Sequence, residues 1–316
     1  RIEMDISIII PIYNEAMSIE PLYKEIVEIM NTINKAYEII FIDDGSSDDS
    51  FRILEAVSKV AKDADIKLSC IRFRKNFGKS AALMAGFKEA QGDIIITMDG
   101  DRQDDPAEIP RFLEEIDKGY DLVSGWKIKR RDSWSKVIPS KIFNFITSLF
   151  SGIKLHDFNC GFKCYKGELI KEIKIYGELY RYIQVIPFWR GFKIGEIKVN
   201  HRSRKFGKSK FGIERFSKGF LDFITIMFLT KYARRPLHFF GVSGLFLFIM
   251  GFSICGYLSY LWFAGHGPIG NRPLLFLGIL LILSGMQFIS IGLIGELITN
   301  KFYQNEDTYF LKKKLA

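Results

Sequence analysis

The sequence predicts an α/β protein, a mostly parallel sheet covered by helices and followed by two membrane-spanning helices. Two observations carry that reading. Over residues 1–125, short β-branched runs alternate with helical patterns, as expected of repeated βα units. Further on, Leu237 to Phe263 and Leu274 to Gly295 contain no Asp, Glu, Lys or Arg, and each run exceeds the roughly 20 residues that cross a ~30 Å hydrocarbon layer as a helix.

Taken in order, strands are expected at Asp5 to Ile10, Tyr37 to Ile42, Leu68 to Phe73, Asp93 to Met98 and Asp121 to Ser124, with helices between them. Ligands of such sheets bind where strands end at the carboxyl edge. The segments that follow the first four strands are Pro11 to Glu15, Asp43 to Ser46, Arg74 to Lys79 and Asp99 to Gln103, all polar. After residue 130 the pattern changes. Ile138, Ile142, Phe145 and Leu149 recur at helical spacing, as do Ile213, Phe216, Phe220, Phe223 and Met227. The first reads equally as a packed soluble helix. The second runs through Lys231, Arg234 and Arg235 into an apolar span, which favours a helix lying in the membrane interface. The division expected is therefore 1–130 for a ligand-binding core, 131–235 for an acceptor-side part with amphipathic helices, 236–300 for two spans and 301–316 for a tail.

Charge orients this arrangement. The loop Ala264 to Arg272 has a single Arg, whereas Lys231, Arg234, Arg235, Lys301 and Lys312 to Lys314 lie at the other ends of the spans. Positive residues stay on the cytoplasmic side, so both termini and the N-terminal domain are expected in the cytoplasm, on a multi-pass protein of the plasma (inner) membrane. Residues 1–10 carry no secretory signal pattern. The net charge of +9 is explained by anionic lipid and phosphate-bearing substrates, with no call for nucleic acid.

Asp99 and Asp101 follow an apolar strand and flank a Gly, so two carboxylates meet at the sheet edge while the backbone can approach a ligand. Hard oxygen ligands suit Mg²⁺ or Mn²⁺, with a diphosphate completing the coordination, and Gln103 can add a carbonyl. Asp43 and Asp44 read equally as a turn and helix cap. Asn76 to Ser80 is not a Walker loop, since Phe73 stands where a Gly is needed. His156, Asp157, Cys160 and Cys164 lack a second metal-binding pair, so a structural or substrate-facing loop is favoured over zinc.

In combination these segments are far more specific. Pro-Ile-Tyr-Asn-Glu, Asp-Asp-Gly-Ser, Asn-Phe-Gly-Lys, Asp-Gly-Asp-Arg-Gln-Asp-Asp-Pro, Asn-Cys-Gly-Phe-Lys and Arg204-x-x-Gly207-x-Ser209-Lys210 occur in that order. The chain resembles the family 2 glycosyltransferases of the GT-A fold, in their polyprenyl-phosphate branch of bactoprenol-phosphate glucosyltransferases and dolichol-phosphate mannose synthases. That resemblance covers about residues 4 to 212, and the two late spans resemble the bactoprenol type. It implies that Pro11, Tyr13, Glu15, Ile42 and Asp44 hold the nucleoside, and that Asp99, Gly100, Asp101 and Gln103 meet the metal and diphosphate. It implies also that Lys127, Arg131, Arg204 and Lys210 supply positive charge to phosphates: Lys127, Arg204 and Lys210 to the nucleotide-sugar donor, and Arg131, Arg204 and Lys210 to the acceptor phosphate.

The implied reaction is transfer of a hexose, with inversion, from a nucleotide-sugar donor to a polyprenyl phosphate. UDP-glucose and undecaprenyl phosphate come first; a GDP-mannose-dependent dolichyl-phosphate mannosyltransferase is the alternative. Asp157 is cast as an orienting group or modest base. A processive polysaccharide synthase fits poorly, because Gln184 to Arg190 has the wrong order and spacing for its Gln-x-x-Arg-Trp motif. Implied partners are the donor, the lipid acceptor and the membrane, with a homo-oligomer as an option.

Overall fold

The computed structural model describes residues 4–127, 144–145, 147–149, 151–172, 179–202 and 236–303. The chain separates into two compact units, Arg1–Phe223 and Ile224–Ala316, each described by itself. Arg131, Arg204, Lys210, the stretch 213–227 and the tail 304–316 lie outside the described residues.

In the first unit, β1 (Ile6–Ile12), β2 (Tyr37–Asp43), β3 (Lys67–Arg72), β4 (Ile94–Thr97), β5 (Leu122–Lys127), β6 (Lys163–Lys166) and β7 (Ile194–Val199) form one sheet in the order β3-β2-β1-β4-β6-β5-β7. Pairing is parallel from β3 through β2 and β1 to β4, and again between β5 and β7. Only β6 runs antiparallel to its neighbours β4 and β5. The five expected strands are thus present and mostly parallel. β6 and β7 are additions: β6 is four residues with a Lys at each end, too short and too charged to read as a buried strand from sequence.

The sheet's centre is dry. Ile6, Ile8, Ile9 and Ile10 of β1 are fully buried on both faces, as a strand between two parallel neighbours requires. Helix α1 (Ala16–Ile33) adds Ile19, Leu22, Tyr23, Ile26 and Met30 from one face, and α2 (Ser50–Asp63) adds Leu54, Val57 and Ala61. The i, i+3, i+4, i+7 spacing of these residues made both helices readable. Further helices are α3 (Lys79–Glu89), α4 (Ile109–Asp117), α5 (Gly167–Glu172) and α6 (Val185–Trp189). At 144–149, the helical spacing seen in sequence leaves Phe145 and Leu149 exposed rather than packed.

The second unit contains α7 (Pro236–Phe263) and α8 (Pro273–Tyr303), both long and apolar enough to be candidate membrane spans. They pack closely because glycines face each other: Gly244 lies against Gly285, and Gly251 against Gly278. Small residues at such a seam let two helix backbones approach where lipid supplies no hydrophobic drive. The Glu296 carboxylate accepts the Leu237 amide at 3.2 Å, capping the first turn of α7.

Candidate active site

At the carboxyl edge of the sheet, the four polar segments are linked hand to hand. The Asn14 amide donates to Ser46 Oγ at 2.9 Å and the Ser47 amide to Asn14 Oδ1 at 2.8 Å, joining the segments after β1 and β2. Asp44, only 4 % exposed, accepts the amides of Phe77 (2.7 Å) and Gly78 (2.9 Å), so the segment after β2 holds the one after β3. Burial pushes the Asp44 carboxyl above the usual aspartate range, against the lowering effect of those two amides. Lys79, the next residue, pairs with the carboxylate of Asp99 after β4. Pro11, Tyr13 and Glu15 are half-buried along the same edge. Ile42 is fully buried inside β2, which limits its contribution to a ligand to its main chain.

Asp99 is the electrostatic centre. Burial alone would raise its pKa, but the charges of Lys79, Lys127 and Lys163 outweigh it and hold the carboxyl at about 2. Its side chain is still 31 % exposed, so one face remains open to a ligand. Behind it sits Gly161, where an added Cβ would come within 2.5 Å of both carboxylate oxygens. Gly100 is equally constrained: a Cβ there would collide with Ile12 Cδ1 and lie 3.1 Å from the Pro11 carbonyl oxygen. Both glycines therefore serve close approach rather than flexibility.

Asp101 and Gln103 stand side by side, the Gln103 amide donating to Asp101 Oδ1 at 3.1 Å. Gln103 is anchored in turn by the Arg202 amide, which donates to its carbonyl at 2.9 Å. The carboxylates and the carboxamide are hard oxygen donors, the right chemistry for Mg²⁺ or Mn²⁺. Among the described residues no group of three or more His, Cys, Asp or Glu could hold a metal alone. A cation held by these oxygens would need further ligands from beyond the His, Cys, Asp and Glu side chains of the described residues.

Asp104, 1 % exposed, accepts the Asp99 amide through Oδ2 at 3.0 Å, while Oδ1 lies 3.1 Å from Lys127 Nζ, an ion contact off the line of a hydrogen bond. Burial would lower the Lys127 pKa; Asp104 first, with Asp99 and Asp157 adding, holds it well above the lysine range. Lys163 is buried at 4 % exposure and donates to the Cys160 carbonyl. Burial brings it down to about 8. Asp157 is 1 % exposed, with Oδ1 accepting the Asn159 amide at 3.0 Å in a local turn, and its charge reaches Lys127 and Lys163. The zinc alternative finds no support here: His156 Nδ1 pairs with Glu196 at 2.7 Å, and burial pushes the Cys160 thiol up to about 12, far from a thiolate.

The fold therefore brings Asp99, Lys127 and Asp157 into one charged neighbourhood, with Asp44 tied to it through the segment ending at Lys79, while Gly100, Asp101 and Gln103 follow Asp99 along the segment that Arg202 anchors. Sequence reading gave no role to Lys79, Lys163, Gly161, Asp104 or Glu196. Lys79 and Lys163 do close two of the recognisable motifs, Asn-Phe-Gly-Lys and Asn-Cys-Gly-Phe-Lys, which was the available signal. Glu196 has none, being one acidic residue in an alternating strand.

The family model for glycosyl transferase family 2 matches residues 7–174. The chain belongs to glycosyl transferase family 2. The matched span runs from β1 to the end of α5 and contains Asp44, Asp99, Asp101, Lys127 and Asp157. This family 2 chain is 36 % identical over 310 residues to a dodecaprenyl-phosphate galacturonate synthase of Rhizobium johnstonii, covering 96 % of this chain and 90 % of that one. It is 33 % identical over 294 residues to an undecaprenyl-phosphate 4-deoxy-4-formamido-L-arabinose transferase of Salmonella choleraesuis, covering 93 % and 88 %. Among solved structures it resembles glucosyl-3-phosphoglycerate synthase from Mycobacterium tuberculosis, in complex with Mn²⁺, UDP-glucose and phosphoglyceric acid. That match has a TM-score of 0.54 and 17 % identity, covering 72 % of this chain and 79 % of that one, which establishes the shared fold.

Proposed function

We propose that the chain transfers a sugar from a nucleotide-diphosphate sugar to a polyprenyl phosphate at the cytoplasmic face of a membrane, with inversion at the anomeric carbon. The observation that carries this reading is the Asp99 edge, where a partly exposed carboxylate is surrounded by the charges of Lys79, Lys127 and Lys163 and is followed two residues on by Asp101, which accepts the Gln103 amide. Such a site matches a substrate that arrives with both a metal and several phosphate charges. The relatives' names, both of them polyprenyl-phosphate sugar enzymes, support the acceptor, and the two candidate spans provide a place beside the lipid.

In this reading Pro11, Tyr13, Glu15 and Asp44 line the nucleoside end of the cleft, and Ile42 contributes through its main chain. Asp101, Gln103 and Asp99 hold Mg²⁺ or Mn²⁺, which when bound supplies neutralisation of the diphosphate. Lys79 and Lys127 add fixed positive charge where the leaving group gains negative charge, in a partly buried site where a bound donor would displace the remaining water. A lipid phosphate with second pKa near ~6 is already mostly dianionic at neutral pH. It can attack without a strong base, which leaves Asp157 to orient it through Lys127 and Lys163, the ammonium groups that its charge faces. Arg131, Arg204 and Lys210 complete the acceptor end.

UDP-glucose is the first donor to test, beside donors of the two sugars that the relatives' names carry, galacturonate and 4-deoxy-4-formamido-arabinose. Membranes containing the protein, incubated with Mg²⁺ and each radiolabelled nucleotide sugar and then extracted into organic solvent, should yield label in the lipid phase with at least one donor. Label that stays wholly aqueous across the panel would contradict the proposal.

A further inference from the structure

The turn that carries Asp157 is held from outside by a residue with no assigned role. Glu196 projects from β7 with its side chain only 9 % exposed, and its carboxylate gathers four contacts from two consecutive residues. Oε1 accepts the amides of His156 (3.0 Å) and Asp157 (2.9 Å); Oε2 lies 3.1 Å from the His156 amide and 2.7 Å from His156 Nδ1. On its other side, the His156 ring stacks on Trp126, with centroids 3.9 Å apart and planes 10° from parallel. Trp126 immediately precedes Lys127 on β5, and β5 pairs with β7 in a register that sets Ser124 beside Glu196.

The carboxylate thus binds the backbone of the Asp157 turn to the same two-strand frame that supplies Lys127. Hydrogen bonds from N–H groups to an ionised carboxylate are roughly twice as strong as neutral ones, and a mostly buried carboxylate has to be satisfied by the groups around it. The Asn159 amide, donating to Asp157 Oδ1, then fixes the side chain relative to the turn. Backbone position comes from Glu196 and side-chain direction from Asn159.

We propose that Glu196 is a positioning residue for the transfer reaction, acting through Asp157 by clamping the His156–Asp157 backbone. This rests on the functional reading above, in which Asp157 orients the acceptor phosphate. Displacement of a reacting group by about 1 Å can cost on the order of a hundredfold in rate. Glu196→Asp keeps the charge but withdraws the carboxylate by about one C–C bond, ~1.5 Å, and Glu196→Ala removes it.

The test measures transfer of radiolabelled sugar to undecaprenyl phosphate by detergent-solubilised parent, Glu196→Asp, Glu196→Ala, Asp157→Asn and the Glu196→Asp/Asp157→Asn double variant, with binding of UDP and Mn²⁺ followed by calorimetry. We expect kcat to fall about tenfold for Glu196→Asp and about 10 to 100-fold for Glu196→Ala, with UDP affinity in the presence of Mn²⁺ kept within about twofold. In the Asp157→Asn background, Glu196→Asp should cost less than about twofold, because the residue it positions is already disabled. A parental kcat for Glu196→Asp would overturn the proposal, whether or not Glu196→Ala folds. So would an equal loss in both backgrounds, which would mark Glu196 as general scaffold, or a parental rate for Asp157→Asn. A parent protein that moves no sugar to the lipid, yet binds UDP, would instead overturn the functional reading and the proposal with it.

Discussion

Removing the Lys127 ammonium should reveal how much the charged floor of the site contributes to stability. Lys127 is 13 % exposed and Asp104 1 %, so Lys127→Met strands a carboxylate that water cannot reach. Breaking a buried pair from one side costs about 3–5 kcal/mol. The lower end applies here, about 3 kcal/mol, because Asp104 Oδ2 keeps the Asp99 amide at 3.0 Å. For a domain of about 200 residues, each kcal/mol moves Tm by about 2–4 °C. The expected drop is therefore about 6–12 °C, read by calorimetry on detergent-solubilised protein. The double variant Lys127→Met/Asp104→Asn should regain at least half of it, since neutralising Asp104 removes the stranded charge. If Lys127→Met unfolds within about 2 °C of the parent, or the double variant falls just as far, the pair is not the buried unit described above.

Three other outcomes follow from the same structure. Asp101→Asn should keep the fold and lower transfer at least about a hundredfold, through lost charge stabilisation; a purified variant with parental rate and cation dependence would remove Asp101 from the metal site. Transfer should fall as pH rises through about 8, where Lys163 loses its charge, and Lys163→Met should lack that alkaline limb. Stability should move the opposite way: from about 8 up to the ordinary lysine value of 10.5 the unfolded chain binds more protons than the folded one, so unfolding becomes harder with rising pH. An unaltered alkaline limb in Lys163→Met would exclude Lys163 as its source. Finally, cysteines introduced between Gly265 and Gly270 should react with an impermeant reagent on intact cells, whereas one at the exposed Asp49, near Ser46, should need a permeabilised membrane; labelling at Asp49 in intact cells would reverse the orientation.

Most of the central sheet was legible because its signals are local. Five strands announced themselves as β-branched runs, α1 and α2 through one-sided apolar spacing, and α7 and α8 through long uncharged stretches. β6 and β7 were not, since their strand character comes from the neighbours they pair with rather than from composition. At the site, Asp99, Asp101 and Gln103 stood out in sequence through the ordered combination of strand-end motifs rather than through the Asp-Gly-Asp alone, since acidic turns after strands are common. Lys163 and Glu196 were not legible as partners: Lys163 reaches Asp99 across a strand pairing separated by 66 residues, and Glu196 meets the Asp157 amide from 39 residues further along the chain. Gly161 shows the same limit, its need being a carboxylate from a distant segment rather than any turn of its own.

The central claim is sugar transfer to a lipid phosphate, and the most direct measurement is stoichiometry with purified protein. Mg²⁺, one active nucleotide sugar and undecaprenyl phosphate are combined, and released nucleoside diphosphate is counted against sugar recovered in the organic phase. About one nucleotide should be released per lipid-linked sugar, with both signals absent when undecaprenyl phosphate is omitted and lowered together in Asp101→Asn. Nucleotide release that continues undiminished without the lipid, with no sugar entering the organic phase when it is present, would contradict that claim.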